Sequence, residues 1–258
     1  VEVMQRLGLS NSIDALQRLG ITSLDESADY GLSLALGTAE ISLEEMTNAY
    51  AGLANQGQQH EVQTYTQIID KFGKEVFEAD APQSTEVMGE AASFLISDIL
   101  NDEGARAPIF GGSLNTPGYD VAVKTGTTEN ARDAWTIGYA RQLAVGVWVG
   151  NNDNSPMLNG GASMAGPIWQ RTILAGLAGE ANQAFTAPSS VERLRVCRDN
   201  GLRAVGGGTE GTYEEFFIRG AVPSGTCEVL PEPEDADEDG VIDEDDECAN
   251  TPEGTEVD

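Results

Sequence analysis

The spacing of apolar residues changes part-way along the chain. Residues 1–20 read as helix in two pieces. Ser42-Leu43-Glu44-Glu45 is a capping box, and Leu43, Met46, Tyr50 and Leu53 follow at helical spacing until Gly57 ends the run. Residues 65–69 and 74–77 form a short hairpin around Asp70-Lys71-Phe72-Gly73. Thr85 opens a second helix with Met88, Ala92, Leu95 and Ile99 on one stripe. From there the period falls to two: Tyr119, Val121 and Val123; then Trp135, Ile137 and Tyr139; then Leu143, Val145, Val147 and Val149. Only Ala140-Arg141-Gln142 separates the last two runs, which makes them an antiparallel hairpin. A last helix over 167–177 has Trp169, Ile173 and Leu177 in register, with Pro167 in its first turn. Helices, three antiparallel strands and a helix predict an α+β fold, an antiparallel sheet flanked by helices, with no βαβ repeat.

Composition adds boundaries. The chain has 258 residues, is 40% hydrophobic and carries 43 acidic against 14 basic side chains, net −29. That length and apolar content support a real core. The acidic excess speaks against a nucleic-acid partner, which needs a basic face. The longest apolar run, Leu143–Gly150, is strand-length, against the ~20 residues of a membrane helix. The chain opens on Val1 with no signal peptide, so we expect a piece of a longer protein in which any membrane anchor lies upstream.

The charge is uneven. Residues 228–258 hold 15 acidic side chains and no basic one, entered through the linker-like Pro231-Glu232-Pro233-Glu234. A second joint falls at Ala187-Pro188-Ser189-Ser190. The expected divisions are 1–183, 187–230 and 231–258. There are three cysteines, Cys197, Cys227 and Cys248. An exported chain can pair the first two and leave Cys248 over; three reduced thiols are equally compatible with the sequence.

Chemistry concentrates at Lys124-Thr125-Gly126-Thr127-Thr128, at the end of a strand pattern. On a strand, Thr125 and Thr127 face one side and Lys124 and Gly126 the other. The hydroxyls can bond a carboxylate, the ammonium can assist proton transfer, and Gly126 admits another backbone. The five residues alone also fit a threonine-rich strand end with a solvated lysine.

The longer stretch from Asp120 through Arg132, Asp133 and Trp135 to Tyr139 resembles the third active-site motif of the penicillin-binding transpeptidases, followed as in that family by residues 143–151. Upstream, Leu34-Ala35-Leu36-Gly37-Thr38 and the segment 46–55 also resemble it. The similarity runs over roughly residues 1–180 and is strongest to the class A, bifunctional enzymes, which carry a glycosyltransferase domain upstream. It implies a penicillin-binding transpeptidase or serine β-lactamase-like fold, incomplete at its N-terminus. It also implies acylation of a serine by the D-Ala-D-Ala end of a peptidoglycan stem peptide, transfer to an amine of a neighbouring stem, and acylation by β-lactam antibiotics. Lys124 would assist proton transfer. Thr125 and Thr127 would hold the carboxylate, and the Thr127 N–H would form half of an oxyanion hole. Gly126, Thr128 and Asn130 would complete the wall along which substrate lies as an added strand.

The departure from the family is large. It also uses S-x-x-K and S-x-N. Of the three lysines, Lys71 is preceded three residues earlier by Ile68, Lys74 by Lys71 and Lys124 by Val121, so no S-x-x-K exists. Ser113-Leu114-Asn115 is too near Lys124 to be the family's S-x-N. Val1-Glu2-Val3 resembles the helix after that motif, so the nucleophile is expected upstream and this chain alone is expected to be inactive.

A second chemical pattern is the run 235–248. Asp235, Asp237, Asp239, Asp243 and Asp246 stand at positions 1, 3, 5, 9 and 12 of a calcium loop, with Gly240 at 6 and the Val241 carbonyl at 7. With Cys248 and Thr251-Pro252 it resembles a thrombospondin type 3 repeat, which implies calcium outside the cell. A solvated acidic tail is the plainer reading. Residues 187–230 resemble the C-terminal extension of some class A enzymes at Phe216-Phe217-Ile218-Arg219-Gly220 and Cys227, which together with the exported setting implies a Cys197–Cys227 disulfide. His60 reads as a solvated loop residue, Arg132 and Asp133 as turn-shaping, and Trp135, Trp148 and Trp169 as core.

These features favour part of an extracytoplasmic, cell-wall transpeptidase with a calcium-binding tail. A calcium-dependent wall or adhesion module on a non-catalytic remnant is the second reading, and a β-lactamase or carboxypeptidase the third. Lys124-Thr125-Gly126 has no Gly-rich turn before it, which removes a nucleotide phosphate site.

Overall fold

The computed structural model describes residues 1–24 and 30–230. They fall into two units, Val1–Pro188 and one that begins at Ser189.

The first unit opens with α1 (Glu2–Leu7) and α2 (Leu9–Arg18), broken at Gly8. Ile21, Leu24, Leu34 and Ala49 form a small core, with Met4, Leu9, Ile13 and Leu16 of these helices packed on it. Leu34 lies in a 3-10 turn, Leu32–Leu36. α3 (Leu43–Ala54) begins where the capping box predicts: Ser42 Oγ accepts from the Glu45 amide at 3.1 Å. The Glu45 carboxylate turns outward and accepts from the amides and hydroxyls of Thr22 and Ser23. The Ser23 hydroxyl above all, with Thr22 and the two amides and against the opposing desolvation, lowers the Glu45 pKa from 4.5 to about 2.

β1 (Gln58–His60) follows α3 and pairs antiparallel with β4 (Ser84–Glu86). Between them, β2 (Gln67–Ile69) and β3 (Glu75–Glu78) make the expected hairpin, whose turn is tied by Asp70 Oδ1 accepting from the Phe72 and Lys74 amides. Two expectations fail here. Thr85 does not open a helix but pairs with Gln59; α4 starts at Glu90, after a Gly89 N-cap, and runs to Asn101. Its inward face is Ser93, Phe94 and Ser97, while Ile99 is 67% exposed. Small serines let α4 approach closely, and the Ser97 hydroxyl meets the buried Tyr139 hydroxyl at 2.9 Å. His60 is not in a loop: it sits half-buried in β1, with Nε2 3.2 Å from Asn55 Nδ2.

α5 (Glu103–Phe110), capped by Asp102 at the Ala105 amide, leads to the main sheet. Its strands are β5 (Ala122–Thr127), β6 (Asp133–Ala140) and β7 (Leu143–Gly150), all antiparallel and in that spatial order. Tyr119 and Val121 precede β5 rather than belonging to it. α6 (Gly161–Met164) and α7 (Gly166–Leu177) close the unit. Trp169, Ile173 and Leu177 of α7 are fully buried on one sheet face, among Val121, Val123 and Val145. A Cβ at Gly138 would stand 2.4 Å from the Trp169 ring, so the indole fits only over glycine. On the other face, Ala122 and Tyr139 pack with Tyr50 and Leu53 of α3 and Leu100 of α4. The sheet is thus sandwiched by helices, the predicted α+β arrangement. Truncating an indole buried like that of Trp169 costs about 3–5 kcal/mol. Trp148, in contrast, is 40% exposed; its Nε1 donates to Asp133 Oδ1 at 2.9 Å, so it is a partly wet side chain with a polar anchor rather than core.

The second unit is a small sheet of β8 (Val191–Cys197), β9 (Arg203–Val205), β10 (Thr212–Ile218) and β11 (Thr226–Glu228), ordered β10-β8-β9-β11, with β11 parallel to β9. A disulfide joins Cys197 to Cys227 across 30 residues of chain. Closing a loop of that length contributes about 3–4 kcal/mol in the chain-entropy account.

The Glu45 contacts set an acid limit. Because its pKa is lowered on folding, their stabilisation is complete above 4.5 and is lost as pH falls toward about 2. Amide exchange at Thr22 and Ser23 should accelerate across that window. In Glu45→Gln it should be fast and independent of pH beyond the intrinsic chemistry; an unchanged acid profile in that variant would contradict the assignment.

Candidate active site

The lysine–threonine segment occupies β5, and β5 is the edge of the main sheet: among the described residues β6 is its only strand partner. The Thr128 amide donates across the seam to the Asp133 carbonyl at 3.2 Å. Backbone direction alternates along an antiparallel strand. Gly126 and Lys124 therefore share the inward direction of Thr128, and the N–H and C=O of Thr125 and Thr127 point to the open edge. The Lys124 ammonium donates to the Thr125 carbonyl at 2.6 Å, as expected of a carbonyl not used in the ladder.

Side chains divide as the strand period requires. Lys124 shares a face with the buried Ala122, against α3 and α4, yet is exposed itself. Thr125 and Thr127 lie on the α6 and α7 face. Thr125 and Gly126 are half-buried; Thr127, Thr128 and Asn130 are exposed. Thr127 Oγ1 accepts from the Gly161 amide at 2.9 Å. Its own proton remains available to an acceptor.

The turn after β5 is tied closely. The Thr128 hydroxyl donates to Asp133 Oδ2 and accepts from the Asp133 amide, at 3.0 and 2.8 Å. Asn130 and Ala131 take positive φ, 58° and 50°. Arg132 donates to the Asn154 carbonyl, and the Met157 amide donates to the Ala131 carbonyl. Arg132 and Asp133 therefore do shape the turn, and Ala131 and Arg132 fasten the 151–160 loop beside the end of β5.

The structure brings Lys124, Thr125, Gly126, Thr127, Thr128 and Asn130 together on one edge and its following turn. Sequence reading missed Thr136, whose buried hydroxyl donates to the Gly161 carbonyl, and Gly160 and Gly161 themselves. The double glycine was the available signal for close backbone approach. Asp235, Asp237, Asp239, Val241, Asp243 and Asp246 lie outside the described residues. Among the described residues no cluster of three or more His, Cys, Asp or Glu is placed to hold a metal, and no helix is long and apolar enough to cross a membrane.

An antiparallel sheet between helices thus carries the Lys-Thr-Gly-Thr segment on its edge strand. Comparison with known proteins gives the family. Residues 1–174 match the model of the penicillin binding protein transpeptidase domain, and residues 187–232 that of the penicillin-binding protein 1A C-terminal domain. The chain belongs to the penicillin-binding protein transpeptidase family. It is 30% identical over 246 residues to penicillin-binding protein 2D of Bacillus subtilis, covering 88% of this chain and 35% of that protein. It is 25% identical over 245 residues to penicillin-binding protein 1A of Clostridium perfringens, covering 88% of this chain and 29% of that one. The chain thus spans about a third of the length of these curated relatives. Penicillin-binding protein 1A from Haemophilus influenzae shares the fold, with a TM-score of 0.73 at 23% identity over 87% of this chain and 39% of that one. The PonA1 protein from Mycobacterium tuberculosis, solved in complex with penicillin V, gives a TM-score of 0.64 at 25% identity over 73% of this chain and 55% of that one.

Asp133 is the node of the turn, accepting from Thr128 and Trp148. Asp133→Ala leaves both donors without it and should cost about 1–3 kcal/mol in denaturant unfolding. Asp133→Asn should lose less than half as much; equal losses would contradict the two-acceptor role.

Proposed function

We propose that this chain is the carboxy-terminal wall of a peptidoglycan D,D-transpeptidase. The observation that carries the reading is the one-sided pairing of β5, with the Thr125 and Thr127 backbone facing outward on the strand that holds Lys124. A peptide ending in D-Ala-D-Ala would add to this edge as an antiparallel strand. Its terminal carboxylate would meet the Thr125 and Thr127 hydroxyls and the Lys124 charge. The Thr127 N–H would face the carbonyl oxygen as negative charge develops there. The serine oxygen would come from an S-x-x-K segment not contained in these 258 residues. It would attack the penultimate carbonyl and expel D-alanine, and an amine of a neighbouring stem peptide would then take the acyl group. Lys124 would favour the proton transfers by its charge beside the attacking group. Gly126, Thr128 and Asn130 would border the ligand's path. A β-lactam would be held by the same groups and acylate the same serine.

This reading puts the protein on the extracytoplasmic face of the cell membrane, anchored through a segment upstream. The Cys197–Cys227 disulfide supports an oxidising compartment. For the tail, the donor set Asp235, Asp237, Asp239, Val241, Asp243 and Asp246 supports a calcium loop of the thrombospondin type 3 kind. Five carboxylates and one carbonyl are hard oxygen donors in number and spacing suited to that ion.

Fluorescent penicillin tests the first reading. The 258-residue chain should show no covalent adduct. A polypeptide in which the S-x-x-K and S-x-N half of a penicillin-binding transpeptidase precedes Val1 should be labelled. Lys124→Ala should lower its labelling rate by about a hundredfold or more. An adduct on the 258-residue chain, or labelling indifferent to Lys124, would overturn the reading. Calorimetry at millimolar calcium tests the tail: heat should appear with the natural sequence and vanish in Asp235→Asn/Asp239→Asn, and a flat trace with the natural sequence would remove the calcium loop.

A further inference from the structure

We infer that Gly160 and Gly161 position the Thr127 hydroxyl, and through it set the preference of the β5 edge for a ligand that ends in a carboxylate. The inference rests on the reading of β5 as the ligand-binding edge.

A threonine hydroxyl has one proton to donate and two lone pairs to accept with. At Thr127 the Gly161 amide occupies one lone pair, at 2.9 Å, from the α6 side of the strand. The hydroxyl proton is thereby directed away from α6, toward the exposed edge. Threonine is stiff about χ1, so an amide fixed on Oγ1 fixes the whole side chain. The Gly161 amide is itself held from behind. Its carbonyl accepts from the buried Thr136 hydroxyl at 3.3 Å, and the loop before it is tied to the β5–β6 turn through Met157 and Ala131.

Both glycines are required by contact distance. A Cβ at Gly160 would stand 2.4 Å from Thr127 Oγ1 and 2.7 Å from its Cγ2, and would push the threonine out of place. A Cβ at Gly161 would stand 2.5 Å from the Gly126 carbonyl oxygen and 2.6 Å from that of Trp135. Those are backbone atoms inside a ladder and cannot yield, so the loop would lift and take its amide with it. The Thr127 hydroxyl would then be free to turn its proton to other acceptors. Gly160 and Gly161 touch no ligand in this account; they are positioning residues.

The test uses the 258-residue chain with two probes, N-acetyl-D-alanyl-D-alanine and its C-terminal amide, titrated at millimolar concentration and read from the β5 amide resonances. The natural chain should prefer the carboxylate, with about tenfold of the preference coming from the Thr127 hydroxyl, the range of one hydrogen bond to a charged group. Thr127→Val and Gly161→Ala should each lower the ratio by the same factor, leaving what Thr125 and Lys124 supply, and Thr127→Ser should keep it. General loosening of the fold lowers both affinities and leaves the ratio alone. A natural chain that binds neither probe would remove the reading of the edge, and the inference with it. A natural chain that discriminates, with the ratio lowered in Thr127→Val but unchanged in Gly161→Ala, would overturn the inference alone. Should Gly161→Ala fail to fold, the unliganded chain decides: Thr127→Val should speed Gly161 amide exchange about tenfold or more, with Thr127→Ser restoring it. Unchanged exchange would overturn the inference.

Discussion

A strand hydrogen-bonded on one side only is a standing constraint on a folded chain, because its other edge offers unpaired donors and acceptors. Among the described residues β5 is such a strand. The ladder to β6 uses the inward backbone groups, and those of Thr125 and Thr127 face the open edge. The side-chain period then sets an ammonium on one face and two hydroxyls on the other. Open backbone groups, a charge and two hydroxyls therefore come from one six-residue element.

What holds that element still is close packing on both sheet faces. α7 seats Trp169 over Gly138, and α3 approaches β7 at Gly146, where a Cβ would stand 2.0 Å from Thr47 Oγ1. The end of β5 is held differently, by polar contacts through Asp133, Arg132 and the Gly161 amide.

Much of this was legible in the sequence, for physical reasons. The α7 stripe of Trp169, Ile173 and Leu177 is strictly periodic and fully buried, and the β6–β7 hairpin has so short a connection that no other pairing can form. The capping box fixed the start of α3 through one real hydrogen bond. α4 misled because its inward residues are Ser93 and Ser97, chosen for closeness and a bond to Tyr139 rather than for apolarity. β1 and β4 are three residues each and largely polar, and they pair across more than twenty residues of chain, so no local period announces them. The edge strand was legible too, since Lys124 to Thr127 do lie on β5. Gly160 and Gly161 signalled close approach but not to what, because the tertiary fold decides which atoms meet a permissive backbone.

The most direct measurement of the central claim is hydrogen exchange along β5 in the unliganded chain, residue by residue. The account predicts alternation: slow exchange at Lys124 and Gly126, whose amides face β6, and fast exchange at Thr125 and Thr127, whose amides face the open edge. Uniform protection across all four would mean that something already pairs with that edge, and would contradict its role as a docking strand.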